Sequence, residues 1–157
     1  MAIMGQPPKD SQVQAIAFME NPLVIVAPPE HRLAQRKRIA LKELEKEVFL
    51  VREPGSGTRG AMERFFREQK LKLTTGMGMG SLSSIKQGVQ AGLGLALLPR
   101  DAVRVELQIG RLVELKVKGL PIKRHWHVVL HKGKRLSLAA EEFKNLLTTE
   151  AVSLLGH

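Results

Sequence analysis

The 157 residues, of which 43% are hydrophobic, fit one domain or two small lobes, and the absence of cysteine excludes disulfides, thiolate catalysis and cysteine-ligated metal sites. The formal net charge of +10 favours anionic partners, but charge alone leaves nucleic acid, a lipid surface and small phosphorylated or carboxylated ligands open. No stretch approaches the roughly 20 apolar residues of a membrane span and the N-terminus lacks a signal-peptide layout, so a cytoplasmic protein without membrane contact is expected.

Hydrophobic patterning predicts strands and helices that alternate along the chain. β-branched apolar runs predict buried strands, and apolar residues three or four positions apart predict amphipathic helices. In chain order the predicted elements are strand 2–4, strand 23–27, helix 40–47, strand 48–51, a helix after 58, strand 76–80, helix 84–91, strand 93–98, strands 113–117 and 126–130, and helix 138–147. This order predicts an α/β fold with a twisted, largely parallel sheet and helices on its faces.

Two of the predicted helices begin directly after a strand, in segments rich in glycine and hydroxyl side chains. The first follows Gly55-Ser56-Gly57-Thr58-Arg59, and the second follows Gly80-Ser81-Leu82-Ser83. At the carboxyl edge of an α/β sheet, the free amides and the dipole of a helix N-terminus bind anions. The alternative is that the hydroxyls only cap the helices, with Ser81 or Ser83 capping the second.

Motifs for catalysis, nucleotides and metals are missing or incomplete. The first glycine-rich segment lacks the Gly-Lys-Ser/Thr ending of a nucleotide-hydrolysing loop, and the alternating glycines of 76–80 lack the dinucleotide-binding spacing. His125, His127 and His131 have no acidic residue or cysteine among them, so a metal site is not expected. The serines before the two helices have no identifiable base with an orienting carboxylate. The sequence therefore predicts no enzyme activity, no metal and no cofactor.

Five blocks of sequence, taken in order, resemble the effector-binding domain of LysR-type transcriptional regulators. The blocks are 18–34, Arg52-Glu53-Pro54-Gly55-Ser56-Gly57-Thr58-Arg59, Ile85-Lys86-Gln87, Val89-Gln90-Ala91-Gly92-Leu93-Gly94-Leu95-Ala96-Leu97-Leu98-Pro99 and Gly110-Arg111-Leu112-Val113. Within the family, the blocks are most similar to those of regulators of the RuBisCO (Calvin cycle) operon. Leu82-Ser83 departs from the family, where Asn-Glu is frequent before the Ile-Lys-Gln helix.

The resemblance implies a two-lobed fold similar to periplasmic binding proteins, with a small effector held in the cleft between the lobes. Residues 1–21 would be a remnant of the first lobe, and 131–157 its return segment. Residues 22–130 would form the complete second lobe, with hinge strands near 22–27 and 126–130. The opening half of the first lobe and the N-terminal DNA-binding domain would be absent.

The resemblance further implies an effector-sensing domain that binds a small anionic metabolite, phosphorylated or carboxylated, and controls DNA binding by the full-length regulator. The implied effector contacts are Ser56, Gly57, Thr58, Arg59, Ser81, Ser83, Gly5, Gln6 and Pro7. Members of the family form homodimers and tetramers, and DNA would be bound only through the absent domain. A solute-binding protein or an enzyme on the same fold is the alternative, and a direct nucleic-acid binder is a third possibility.

Overall fold

The computed structural model describes residues 1–154, which form two compact units. Unit 1 contains residues 1–21 and the chain from 123 onward, and unit 2 contains residues 22–122. The last three residues of the predicted return segment, 155–157, lie outside the described residues. Within residues 1–154, no helix has both the length and the apolar character that crossing a membrane requires.

Strands and helices alternate through most of the chain, as the patterning predicts. The strands are β1 (Ala2–Met4), β2 (Val13–Glu20), β3 (Leu23–Ala27), β4 (Val48–Arg52), β5 (Thr74–Met79), β6 (Ala96–Pro99), β7 (Val113–Glu114) and β8 (His125–His131). The α-helices are α1 (Gly57–Glu68), α2 (Leu82–Gln90), α3 (Arg104–Gln108), α4 (Leu138–Thr149) and α5 (Ala151–Leu154). Two 3-10 helices cover Leu41–Lys46 and Asp101–Val103.

Unit 2 centres on two ladders, β5-β4 and β6-β3-β7, which one bridge joins into a mixed sheet with the order β5-β4-β6-β3-β7. β4 and β5 pair in parallel, whereas β3 pairs antiparallel with both β6 and β7. A parallel bridge between Phe49 and Leu95 joins these two ladders, and the Leu50 N–H donates to the Leu95 carbonyl at 2.8 Å. Four strands of this sheet therefore run in one direction and β3 runs against them. The prediction of a largely parallel sheet is therefore met only in part: pairing is parallel on both sides of β4 and antiparallel on both sides of β3.

Both faces of the unit 2 sheet are covered by helices, which explains why its strands read as continuous apolar runs. Ile25 of β3 belongs to the buried cluster that contains Phe66 of α1, whereas its neighbour Val24 belongs to the cluster that contains Ile85 of α2. Phe49 of β4 meets Phe66 edge to face, with 5.2 Å between ring centroids. Every residue of β3 is buried as a result.

Unit 1 contains a smaller sheet with the order β1-β8-β2, and both of its ladders are antiparallel. A register shift between Ala17 and Met19 interrupts the pairing of β2 with β8. α4 and α5 pack against β2. The largely parallel arrangement predicted for the whole chain is therefore wrong for this unit, because its strands meet through antiparallel pairing.

The strand predicted at 126–130 belongs to unit 1, although the sequence analysis assigned it to the second lobe. β8 pairs with β1 and β2, and unit 2 ends at Ile122. The difference arises from β2, a strand that patterning did not predict and that supplies most of the partners of β8. The second part of unit 1 begins at 123, and the lobe boundaries implied by the resemblance stay a prediction.

Three predicted strands of unit 2 differ from those observed. The strand predicted at 93–98 is β6, and Leu93 is 54% exposed because it lies in the turn that follows Gly92, whose φ is +75°. The strand predicted at 113–117 shortens to β7, since the chain then leaves β3 and Val117 bridges Ile39. The segment predicted at 76–80 as a closely packed strand is largely exposed, because β5 is the edge strand of the sheet.

Candidate functional site

α1 begins just beyond the carboxyl end of β4, after a turn in which Gly55 has a φ of +87°. Ser56 is the N-cap residue and has the extended backbone of a cap, but its side chain makes no capping hydrogen bond to any described residue. The amides of Gly57 and Thr58 lie in the first turn, where an α-helix offers no backbone acceptor. Amides in this position, together with the helix dipole, bind anions.

α2 begins just beyond the carboxyl end of β5, the neighbour of β4 in the sheet. The Ser84 N–H donates to the Ser81 Oγ at 3.0 Å, and the two hydroxyl oxygens are 2.8 Å apart. Ser83 is an exposed residue of the first turn. Ser81 is therefore the cap, and Ser83 is not. Because β4 and β5 are parallel, both helix N-termini lie at the same edge of the unit 2 sheet.

The connections that lead into and out of unit 2 leave from this same edge. β3 runs antiparallel, so its first residue, Leu23, lies beside Pro99 at the end of β6. Leu23 and Ile122 exchange two backbone hydrogen bonds, with N···O distances of 3.0 and 2.9 Å. The residues that begin and end unit 2 are therefore neighbours, at the edge where α1 and α2 begin.

Three arginines near this edge are each held by a carboxylate. Two of these carboxylates accept two hydrogen bonds from one guanidinium. The pairs are Arg52 with Glu53, Arg59 with Glu63, and Arg100 with Glu114, with shortest N···O distances of 2.7, 2.8 and 2.7 Å. Hydrogen bonding with Glu53 raises the pKa of Arg52, and the same bonds lower the pKa of Glu53.

Arg59 was expected to contact an anion, and in the structure its guanidinium already has two partners. Its Nε donates to Glu63, and its Nη1 donates to the Arg52 carbonyl at 3.2 Å. An anion at the start of α1 would compete with Glu63 for this side chain. The first-turn amides of α1 have no comparable competitor among the residues that the structure describes.

The remaining expected contacts, Gly5, Gln6 and Pro7, follow β1 in unit 1. Gly5 packs directly against the guanidinium of Arg124: a Cβ added to Gly5 would lie 2.9 Å from the Arg124 Cζ. Burial lowers the pKa of Arg124. Arg124 carries no local signal in the sequence, because the antiparallel pairing of β1 with β8 brings these distant segments together only in the folded unit.

Two further side chains of unit 1, Asn21 and His127, have buried polar atoms without a hydrogen-bond partner among the described residues. Asn21 is fully buried, and neither its Oδ1 nor its Nδ2 has a hydrogen-bond partner in the described chain. The Nδ1 of His127 is likewise buried and unpaired among the described residues. Within residues 1–154, no group of three acidic or histidine side chains could hold a metal ion.

Comparison with protein families and curated proteins gives a consistent match. The model of the LysR substrate binding domain matches residues 1–152. The chain is 46% identical over 154 residues to the RuBisCO operon transcriptional regulator of Allochromatium vinosum, covering 98% of this chain and 51% of that protein. It is 40% identical over 153 residues to the HTH-type transcriptional activator CmpR of Synechocystis, covering 96% and 50%. The chain spans about half the length of these curated relatives.

Solved structures share the fold over nearly the whole chain. The regulatory domain of Synechocystis PCC6803 CcmR, solved in complex with 2-PG, matches with a TM-score of 0.88 and 32% identity, covering 94% of this chain and 73% of that one. The effector binding domain of QuiR, solved in complex with shikimate, matches with a TM-score of 0.81 and 18% identity, covering 93% and 68%. The predicted α/β fold, similar to periplasmic binding proteins, is confirmed by these neighbours.

Proposed function

The chain belongs to the family of LysR substrate binding domains, and from that premise we propose that it is the effector-sensing domain of a LysR-type transcriptional regulator. Its effector is a small anionic metabolite, and effector binding controls how the longer protein binds DNA. The observation that carries this proposal is the match to a regulatory domain that was solved with 2-PG. A ligand with a phosphate or a carboxylate also suits a chain with a net charge of +10.

The geometry of unit 2 supports an anion site at the beginnings of α1 and α2. Gly57 and Thr58 offer amides, and Ser56 and Thr58 offer hydroxyls, without a side-chain acceptor in the described chain, whereas the Ser56 N–H donates to the Glu53 carbonyl at 3.2 Å. Ser81 is occupied as a cap, so the hydroxyl of Ser83 is the more available donor at the second helix. Arg59 contributes positive charge close to the first helix, although Glu63 holds its guanidinium.

We assign unit 2 to the second lobe of the family fold and unit 1 to the retained part of the first lobe. On this assignment, unit 1 has a contact segment of its own, formed by Gly5, Gln6 and Pro7. Gly5 and Pro7 are half-buried, whereas Gln6 is exposed. The side chain of Gln6 is therefore the one that can donate or accept a hydrogen bond with a ligand in solution.

An enzyme or a solute-binding protein on the same fold is the competing function, and we propose that the chain is not an enzyme. The relatives that it matches are transcriptional regulators. Among the described residues, the serines at the two helix N-termini hydrogen-bond neither a histidine nor a carboxylate, so none has the base that nucleophilic catalysis requires. The regulator would act in the cytoplasm, where its DNA target lies.

Self-association is a further part of the proposal. α4 carries large apolar side chains that are exposed in unit 1, among them Leu138 at 88% and Phe143 at 45%. Exposed apolar surface favours association of like chains. Sedimentation should show a dimer or larger species, and a monomer at high concentration would contradict the proposed self-association.

We assign DNA contact itself to a part of the longer protein outside this chain.

Calorimetric titration of the chain with 2-phosphoglycolate and with inorganic phosphate tests the central proposal. We expect the wild-type chain to bind 2-phosphoglycolate, and Thr58→Ala to stay folded and to keep most of that affinity. Thr58→Glu should weaken binding at least about tenfold, because a carboxylate at this position occupies the free amides and repels the ligand. Thr58→Gln, of similar size and without charge, is the matched control.

The outcomes test separately whether the chain binds an anion and whether that anion binds at the start of α1. Equal affinity in wild type and Thr58→Glu would show that the site is not at α1. A wild-type chain that binds no phosphorylated or carboxylated ligand would overturn the proposal of an anionic effector.

A further inference from the structure

Arg124 of unit 1 is a partly buried guanidinium without an acidic partner. The three other arginines that are similarly shielded from solvent each bind a carboxylate: Arg52, Arg59 and Arg100. Arg124 makes no ion pair or side-chain hydrogen bond within residues 1–154, and its Nε is buried. Removing this N–H from water without a partner is costly, and an anion bound to the guanidinium would offset part of that cost.

The packing around Arg124 leaves the edge of the guanidinium for such an anion. A Cβ added to Gly5 would lie 2.9, 3.1 and 3.2 Å from the Arg124 Cζ, Nε and Nη2. Because these three distances are similar, the guanidinium lies with its flat face against the Gly5 backbone. Only glycine permits this approach at position 5. The remaining N–H groups along the edge are those that bind oxyanions.

A second buried group without a partner lies next to Arg124 in the fold. The Asn21 N–H donates to the Arg124 carbonyl at 2.6 Å, which fixes the backbone where the strand β8 is about to begin. The Asn21 side chain is fully buried, and its amide has no partner among the described residues. Buried amides in native proteins are almost always hydrogen-bonded. Because the Asn21 side chain has no exposed surface, Arg124 is the one of these two groups that a ligand can reach.

We propose that Arg124 is an effector-binding residue, which holds a phosphate or carboxylate oxygen of the ligand through its guanidinium, with Gly5 shaping the space beneath it. This inference rests on the proposed function and concerns a contact made by unit 1 alone. Asn21 acts as a positioning residue through its hydrogen bond to the Arg124 carbonyl. The ligand class is an oxyanion that a planar fork can bind with two parallel hydrogen bonds.

Titration of the wild-type chain and of Arg124 variants with 2-phosphoglycolate tests this assignment. Arg124→Gln should weaken binding about 10- to 100-fold, as expected for the loss of a hydrogen-bonded charge. Arg124→Lys keeps the charge and loses the fork, so it should bind with intermediate affinity. Arg38→Gln is the matched control, since Arg38 is exposed, makes no side-chain hydrogen bond or ion pair with the described residues, and its replacement removes the same charge.

Gly5→Ala provides a variant that keeps every charge of the chain. The new Cβ would displace the flexible guanidinium rather than backbone, so the protein should fold with little change in its thermal midpoint. Binding of 2-phosphoglycolate should nevertheless weaken, because the edge of the Arg124 guanidinium that would hydrogen-bond the ligand is displaced. Gly78→Ala is the control, since nothing lies within 4 Å of a Cβ added there.

Fluorescence supplies a local readout that a general loss of stability would not mimic. Trp126 is the single tryptophan, follows Arg124 by two residues and is the second residue of β8. 2-Phosphoglycolate should change its emission in wild type and in Arg38→Gln, and should leave the emission of Arg124→Gln unchanged.

The results distinguish a failure of the Arg124 assignment from a failure of the proposed function. Wild-type binding that Arg124→Gln retains in full would overturn the role of Arg124 and leave the anionic effector standing. A wild-type chain that binds no anion would overturn the proposed function and this inference with it. Weaker binding by Arg124→Gln and Gly5→Ala, with both controls unchanged, would support the assignment.

Discussion

The Nζ of Lys86 lies 2.7 Å from Oε1 of Glu106, and this ion pair joins α2 to α3. Both side chains are shielded from solvent, with 22% and 16% of their surfaces exposed. The hydrogen bond from Lys86 lowers the pKa of Glu106, against an opposing effect of burial. The other carboxylate oxygen, Oε2, is buried and has no hydrogen-bond partner in the described chain. Lys86 is therefore the principal compensation for the Glu106 charge.

Lys86→Met should destabilise the protein because it leaves a buried carboxylate without its donor. We expect a loss of about 1–3 kcal/mol in the free energy of unfolding at pH 7, in the range for an unsatisfied buried polar group. Urea denaturation checks this value. The double variant Lys86→Met/Glu106→Gln removes both charges and should recover part of the loss, as a double-mutant cycle would show.

The same ion pair predicts how stability depends on pH. The folded-state pKa of Glu106 is lowered, so its contribution is present above the ordinary value of 4.5 and is lost as the pH falls through the folded-state value. The difference in unfolding free energy between wild type and Lys86→Met should therefore shrink below pH 4.5. A difference that stays constant down to pH 3 would mean that the pair does not stabilise the fold.

Ser81 and Ser83, at the start of α2, allow the stability contribution of an N-cap serine to be compared with that of a nearby serine that is not a cap. Ser81 accepts a hydrogen bond from the Ser84 N–H, and Ser83 makes no such contact. Ser81→Ala should lower the free energy of unfolding by about 1 kcal/mol, as the loss of an N-cap does. Ser83→Ala should change it by less than about 0.5 kcal/mol. Thermal denaturation of both variants checks the assignment, and equal effects would contradict it.

The strands of unit 2 were predictable from the sequence where all of their residues are buried. β3 is apolar throughout because both faces of its sheet are covered, and patterning found its bounds. β2 was missed because its sequence shows no clean alternation, and the register shift between Ala17 and Met19 breaks what alternation there is. Its strand form depends on pairing with β8, a partner far away in the sequence.

Some residues of the candidate site could likewise be predicted from neighbouring sequence, and others depend on contacts between distant segments. Glycine and hydroxyl residues just before a helix are a local signal, and the sequence located both helix N-termini from it. The choice of Ser81 over Ser83 as cap depended on a boundary that patterning leaves uncertain by a few residues. Arg124 had no local signal, because its isolation from acidic side chains is visible only in the folded unit.

Gly94 is the glycine whose replacement should disturb the sheet most. Its φ is +156°, and a Cβ there would lie 2.7 Å from the carbonyl oxygen of Val48, which also accepts the Leu95 N–H at 2.8 Å. Backbone cannot move aside as a side chain can. Gly94→Ala should therefore cost about 2 kcal/mol or more in the free energy of unfolding, by straining the junction of β4 with β6.

Gly60→Ala is the control for that variant. Gly60 lies inside α1, and nothing lies within 4 Å of a Cβ added there. Alanine is the better helix former by about 0.5–1 kcal/mol, so this change should be neutral or stabilising. If Gly94→Ala unfolds at the same urea concentration as Gly60→Ala, the close contact with Val48 does not constrain the fold.

DNA binding by this chain alone should reflect its charge rather than recognition of sequence. The turn after β8 carries three exposed cations, Lys132, Lys134 and Arg135, which line a cavity of about 380 Å³. Such cations attract phosphates of any sequence, and the affinity falls steeply with salt. In gel-shift titrations we expect equal affinity for a promoter fragment and a shuffled duplex, with loss of binding between about 50 and 200 mM salt.

Replacing all three cations by glutamine should lower the affinity for both duplexes equally. Each phosphate contact contributes about 0.9 to the slope of log K against log salt, so the triple variant should reduce that slope by at most about 2.7. A selective affinity for the promoter that persists at 200 mM salt would contradict the assignment of DNA recognition to another part of the longer protein. Direct reading of bases by this chain would then be required, since non-specific attraction to phosphates is the same for both duplexes.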